Sequence, residues 1–204
     1  MSKPDTSTSG YPARMSVDIE ALTSLWQQRW PQCPPIGYLL RYHMPDRRLR
    51  VHTLPNSQRY PVSASDYEIA LHRYNTVLSE LGATEIHLIT PEYHPDDLSA
   101  GTEPIRVGLH PGAVKWMHAV NPDDPEIAYD LHVSRQHFQP GILDDLLRRV
   151  ADWQATGVLV TDTALRWLFH PYDGGADLIV SSATERDQLK TRFKDWLSPR
   201  PDGL

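Results

Sequence analysis

The chain has 204 residues, of which 40% are hydrophobic, and its formal net charge is −6. This length is enough for one substantial hydrophobic core and short for two ordinary domains, so we predict a single domain over residues 16–204. No apolar run approaches the ~18 residues of a membrane helix, and the N-terminus lacks the apolar stretch of a signal peptide. An acidic chain is also a poor binder of nucleic acid phosphates. We therefore expect a cytoplasmic protein that binds neither membranes nor nucleic acids.

Two local features of composition bear on organisation. Residues 1–15 are rich in Ser, Thr and Pro with few apolar groups, which predicts a disordered tail. Cys33 is the only cysteine, so an intrachain disulfide and a cysteine-rich metal site are both excluded. We interpret Cys33 as a small buried or half-buried filler.

Four segments have the periodicity and end signals of amphipathic helices. Apolar residues recur every three or four positions in each, and Pro or Gly follows each segment. Two of them open with capping boxes, Ser65–Glu68 and Ser182–Glu185. The predicted helices cover residues 16–30, 65–81, 141–155 and 182–198.

Eight short apolar runs read as strands, and most are joined by short turns. They cover residues 37–42, 49–54, 85–90, 115–120, 127–133, 158–161, 165–169 and 176–180. The first two predict a hairpin. Short turns argue against parallel crossovers, so we predict an α+β fold with a mostly antiparallel sheet and about four packed helices.

The last two strands form a second predicted hairpin, with its turn at residues 170–175. Pro171 cannot donate to a ladder, and Asp173, Gly174 and Gly175 suit a turn with positive φ. Leu165, Trp167 and Phe169 alternate with Arg166 and Leu168, which predicts one apolar face.

Two blocks of sequence resemble an uncharacterised family of small bacterial proteins, a domain of unknown function. One is the run PYDGGADLIV at residues 171–180 with the tail WLSPRPDGL at residues 196–204. The other is the block LRVHTLP at residues 49–55 with Arg59-Tyr60. The resemblance implies one compact fold and a bacterial source, and it implies no catalytic residues.

Charge is unevenly distributed along the chain. Nine carboxylates lie between Glu85 and Asp130 against two basic residues, and residues 91–112 form a long irregular stretch. Complementary charge speeds capture of a basic partner. We therefore predict a protein-binding module, an immunity protein that occludes a cognate, basic toxin domain. The predicted interface consists of acidic residues with aromatic anchors: Tyr93, Asp96, Asp97, Glu103, Trp116, Asp123, Asp124 and Glu126.

The alternative is a hydrolase or nucleotide-processing enzyme. Residues 41–60 carry five arginines against one aspartate, which would hold an anionic substrate, and the 172–177 turn supplies carboxylates as base or metal ligand. The residues of this alternative site are Arg41, Arg50, His52, Arg59, Asp173 and Asp177. No Gly-rich phosphate loop, nucleophile elbow or HExxH motif occurs. We expect no cofactor and no metal, and the sequence leaves the oligomeric state open.

Overall fold

The computed structural model describes residues 15–93, 108–121 and 124–198. Within these residues five helices pack on a seven-stranded antiparallel sheet, which confirms the predicted α+β fold. The helices are α1 (Ile19–Arg29), α2 (Leu40–His43), α3 (Ala64–Glu80), α4 (Asp144–Ala151) and α5 (Ala183–Arg192). The strands are β1 (Arg48–His52), β2 (Glu85–Tyr93), β3 (Val114–Asn121), β4 (Asp124–His137), β5 (Leu159–Asp162), β6 (Leu168–Tyr172) and β7 (Gly175–Ile179).

The sheet order is β1-β7-β6-β5-β2-β4-β3, and every neighbouring pair is antiparallel. β1 lies at one edge and pairs with β7, so that Arg50 stands opposite Asp177. β7 pairs in turn with β6, where Asp177 stands opposite His170. This register brings the basic block of the N-terminal half onto the C-terminal hairpin.

Hydrophobic side chains cover both faces of the sheet. On one face, α3, α4 and α5 pack over side chains that include Val51, Phe169 and Leu178. On the other face, α1 and the segment leading into α2 pack over side chains that include Leu168 and Ile179. The prediction that the C-terminal hairpin has one apolar face is therefore wrong, because the hairpin lies in the middle of a two-sided core.

Side-chain caps fix the starts of three helices. Asp18 accepts a hydrogen bond from the Ala21 amide at 3.0 Å, and Ser182 accepts one from Glu185 at 3.1 Å. At α3 the capping box uses Ser63 and Asp66, two residues before the box that we predicted. Each cap satisfies amide groups that the first helical turn leaves without partners.

The predicted hairpin over residues 37–54 is wrong in its first half. Residues 37–39 form a 3₁₀ turn that continues into α2, and β1 pairs with β7 instead. Leu39 and Leu40 are 1% and 0% exposed. A strand would send these neighbours to opposite faces, whereas a helical turn lets both enter the same core.

The two ends of the chain fall largely outside the described residues. The predicted tail lies there except for Met15, which forms a β-bridge with Arg135. Among the described helices, none combines the length and the apolar character that crossing a membrane requires.

We predict that His87 on β2 makes the free energy of unfolding depend on pH. Its side chain is buried, its Nδ1 has no hydrogen-bond partner among the described residues, and burial lowers its pKa to about 4. Between about pH 6.5 and pH 4 the unfolded chain binds a proton that the native imidazole does not, so stability is lost as the pH falls. We expect His87→Leu to remove about 1 kcal/mol of this loss per pH unit. Urea denaturation at several pH values measures it.

A matched control is His72→Leu, which removes an exposed histidine of α3. This variant should keep the pH dependence of the wild type. Equal slopes for the wild type and His87→Leu between pH 4.5 and 6.5 would contradict the assignment.

Candidate functional site

A cavity of about 650 Å³ lies beside the part of the sheet where β1 and β6 end and β7 begins. All six residues of the predicted anion site line this cavity: Arg41, Arg50, His52, Arg59, Asp173 and Asp177. They come from positions 41–59 and 173–177 of the chain, and the pairing of β1 with β7 brings the two groups together.

The alternation of side chains along β1 provides the basic wall. Leu49 and Val51 are buried in the core, so Arg48, Arg50 and His52 must occupy the opposite face of the strand. This face is the one on which Asp177 and His170 stand in the neighbouring strands.

Arg50 and Asp177 form a two-pronged ion pair in the floor of the cavity. Nε of Arg50 donates to Oδ1 of Asp177 at 2.9 Å and Nη2 donates to Oδ2 at 2.7 Å. Arg48 approaches the same carboxylate at 3.5 Å. Asp177 is only 2% exposed, so one buried carboxylate serves two guanidinium groups and leaves this region with net positive charge.

Arg59 and Asp173 form a second pair at the rim. Nε of Arg59 donates to Oδ2 of Asp173 at 2.6 Å, and the guanidinium lies over the ring of Trp153 at 5.4 Å. Arg59 follows a 3₁₀ turn at Pro55–Ser57, in which Asn56 and Ser57 have positive φ. The backbone is therefore held in an unusual conformation beside the rim.

Arg41 is exposed on α2 and forms no ion pair with a carboxylate among the residues that the structure describes. Its guanidinium lies over the ring of Tyr42, with Cζ 4.6 Å from the ring centroid. The cavity thus carries three arginines against two aspartates, in a chain whose net charge is −6. An anion is the ligand that this wall favours.

The histidines of the cavity are neutral bases. Burial lowers the pKa of His52, and the cations Arg50 and Arg73 lower it further. Burial likewise lowers the pKa of His170, against an opposing effect of the Val158 carbonyl. Both imidazoles are therefore uncharged at neutral pH. Burial leaves the protonated form of each poorly hydrated, and nearby arginines repel the protonated form of His52.

Both carboxylates that the sequence analysis assigned as base or metal ligand, Asp173 and Asp177, are paired with arginine, and the assigned role stays a prediction. Both oxygens of Asp177 accept hydrogen bonds from Arg50, and Oδ2 of Asp173 accepts one from Arg59. Within residues 15–93, 108–121 and 124–198, no cluster of three His, Cys, Asp or Glu side chains is arranged to hold a metal ion.

The cavity residues that the sequence analysis did not assign to the site include Tyr38, Trp153, His170 and Tyr172. His170 and Tyr172 were assigned to a turn because Pro171 lies between them. In the structure Pro171 is part of β6 and the turn is the pair Asp173-Gly174. The signal for His170 was its spacing of two from Tyr172, which places both on one strand face.

The glycines around the cavity are needed for space. The prediction that Gly174 and Gly175 have positive φ is wrong, since neither is among the described residues with positive φ. A Cβ at Gly175 would lie 2.2 Å from the Val51 carbonyl oxygen. A Cβ at Gly37 would lie 2.2 Å from Nδ1 of His170, so Gly37 lets the chain pack directly on that ring.

The predicted partner interface is only partly within the described residues. Asp124 and Glu126 are exposed at the start of β4. The Tyr93 side chain and Asp96, Asp97, Glu103 and Asp123 lie outside the description. Charge complementarity with a basic partner at this acidic region stays a prediction.

The position of Trp116 contradicts its predicted role as an exposed anchor in the partner interface. It is 6% exposed, its indole nitrogen donates to the Thr23 hydroxyl at 2.9 Å, and its ring meets Trp26 edge to face. Tyr129 is also buried, at 3% exposed. Trp116 packs on α1 and Tyr129 packs on Tyr38, so both are core residues and the predicted exposed anchor at Trp116 is wrong.

The comparison with known families gives one match. The model of DUF3885, a domain of unknown function, matches residues 36–201 and so includes every residue that lines the cavity. No curated protein and no solved structure is significantly similar to the chain.

Proposed function

The chain belongs to the DUF3885 family, a domain of unknown function, and we propose that it binds a small anionic ligand through a phosphate or carboxylate group. The observation that carries the proposal is the convergence of Arg41, Arg50 and Arg59 on one cavity of about 650 Å³. This volume lies within the range of ordinary small-molecule sites.

The arginines retain donors for such a ligand. A guanidinium has five N–H groups, and Arg50 uses two of its nitrogens on Asp177 while Arg59 uses one on Asp173. Arg41 gives none to a carboxylate among the described residues. Planar pairs of N–H groups suit the oxygens of phosphate and carboxylate, and the buried aspartates hold Arg50 and Arg59 in place before a ligand arrives.

Binding of simple anions tests the proposal. We expect methyl phosphate or propionate to bind the wild-type protein in calorimetric titrations, and Arg41→Ala to raise the Kd about tenfold, since a charge-assisted hydrogen bond is lost. The fold should be unaffected because Arg41 is exposed. The two titrations also show which anionic group the cavity prefers.

Arg29→Ala is the matched control, since Arg29 is an exposed arginine at the end of α1 and does not line the cavity. It should leave the Kd unchanged. The proposal fails if neither anion binds the wild type, or if Arg41→Ala and Arg29→Ala bind the anion as tightly as each other.

A narrower version of the same proposal is a hydrolase or nucleotide-processing enzyme. The observation in its favour is that two neutral imidazoles, His52 and His170, line the cavity with the arginines. A neutral imidazole is a competent proton acceptor at neutral pH. Following the same samples by ³¹P spectroscopy with nucleoside triphosphates tests this version, and an unchanged spectrum over days would remove it.

A further inference from the structure

His170 presents one hydrogen-bond acceptor in a wall of donors. Its Nδ1 lies 2.8 Å from the Val158 carbonyl oxygen. A carbonyl only accepts, so Nδ1 carries the proton and Nε2 carries the lone pair of the neutral ring. The hydrogen bond to the backbone therefore fixes one tautomer.

Nε2 of His170 is open to the cavity. Among the described residues it has no hydrogen-bond partner, and it is not one of the fully buried polar atoms that lack one. The residue is 5% exposed and lines the cavity. The small exposed part of this side chain thus includes an acceptor that a ligand can reach.

Arg50 needs a hydrogen-bond acceptor from a ligand, whereas Nε2 of His170 needs a donor. In the cross-strand row it stands beside Asp177, which stands beside Arg50. Asp177 is engaged by arginine, so the free groups that the row offers are the remaining N–H groups of Arg50 and the lone pair of His170. A bare phosphate or carboxylate satisfies Arg50 and turns oxygen lone pairs towards Nε2. A ligand that also carries a hydroxyl satisfies both groups.

Trp153 supplies an apolar wall for the rest of such a ligand. It lines the cavity, is 59% exposed and has a φ of 60°, a strained value for a bulky residue. Arg59 stacks on its ring at 5.4 Å. A flat exposed indole beside an arginine suits the C–H face of a sugar ring whose phosphate lies against the guanidinium.

We propose that the ligand is a sugar phosphate, free or within a nucleotide, whose phosphate binds the arginines, whose hydroxyl donates to Nε2 of His170 and whose ring packs on Trp153. This inference rests on the proposed anion-binding function and adds the class of ligand to it. His170 is in these terms a specificity-determining residue, since it separates hydroxylated from plain anions.

A pair of ligands with the same phosphate tests the inference without altering the protein. We expect ribose 5-phosphate to bind about tenfold more tightly than n-pentyl phosphate in calorimetric titrations, since only the sugar offers a hydroxyl to the buried acceptor. Adenosine monophosphate identifies the source: tighter binding than ribose 5-phosphate assigns a nucleotide, and weaker binding assigns a free sugar phosphate. Either result supports the inference.

Nitrogen NMR locates the hydroxyl contact. In protein labelled with ¹⁵N histidine, the His170 ring is identified by its proximity to the Gly37 α protons. Its Nε2 resonance should shift towards that of a hydrogen-bonded nitrogen with ribose 5-phosphate and stay in place with n-pentyl phosphate. His170→Phe should bind the two phosphates equally if it folds, and the NMR measurement stands if it does not.

The two proposals fail in distinguishable ways. If neither phosphate binds, the anion-binding function itself is lost. If n-pentyl phosphate binds as tightly as ribose 5-phosphate, or if the Nε2 resonance responds to both equally, anion binding survives and the sugar phosphate is overturned.

Discussion

Replacing Asp177 with asparagine is expected to lower the free energy of unfolding by about 3 kcal/mol, because it leaves two partly buried cations without their counter-charge. Asp177 is 2% exposed and accepts hydrogen bonds from both Arg48 and Arg50, whose side chains are 15% and 13% exposed. Asparagine keeps the size of the side chain, so the loss reports charge. It also leaves two guanidinium groups in mutual repulsion at the edge of the sheet. Equilibrium denaturation measures the change.

Asp173→Asn is the matched control. Its partner Arg59 is 56% exposed at the side chain, so water takes over the solvation of the guanidinium when the charge is removed. We expect a loss of about 1 kcal/mol or less, because the cation left behind is exposed to water. Equal losses in the two variants would show that burial of Arg50 does not determine the cost.

Local signals in the sequence were enough for most elements of the fold. Apolar periodicity with caps located four helices, and the alternation of Ile127, Tyr129, Leu131 and Val133 located β4. Where the prediction failed, tertiary contacts decided. The run at residues 37–42 has strand-like composition, yet Leu39 and Leu40 enter one core as a helical turn against β6 and β7.

The candidate site was predictable in its charges and only partly in its shape. The excess of arginine in residues 41–60 and the aspartates after His170 pointed to an anion site, and the cavity contains all six residues chosen. The sequence did not give the register of β1 with β7, which joins positions more than a hundred residues apart. It therefore could not show that both aspartates are paired with arginine.

Aromatic residues mark the limit of such predictions. The sequence alone did not separate Trp116 from Trp153, and only the fold buries the first and leaves the second 59% exposed. Exposure depends on what packs over a residue, here α1 over Trp116. Periodicity reports which face a side chain occupies, and it does not report whether another element covers that face.

Gly175→Ala is expected to destabilise the protein by about 3 kcal/mol, the upper range for overpacking. The added Cβ would lie 2.2 Å from the Val51 carbonyl oxygen and 2.8 Å from the Tyr172 hydroxyl. The carbonyl belongs to β1, which is paired with β7, so it moves only if the two strands separate. Their separation would also pull Arg50 away from Asp177 and weaken anion binding.

Gly174→Ala is the control that separates the steric contact made at Gly175 from the general effect of replacing a glycine by alanine. Neither glycine has a positive φ, so alanine strains neither backbone. At Gly174 the nearest atom is Cγ of Arg59 at 3.2 Å, on an exposed side chain that needs to shift only slightly to make room. We expect a change within about 0.5 kcal/mol. Thermal melts and anion titrations of both variants decide it: if the two alanines cost the same, the contact of Gly175 with β1 is not what holds the arginine wall against the C-terminal hairpin.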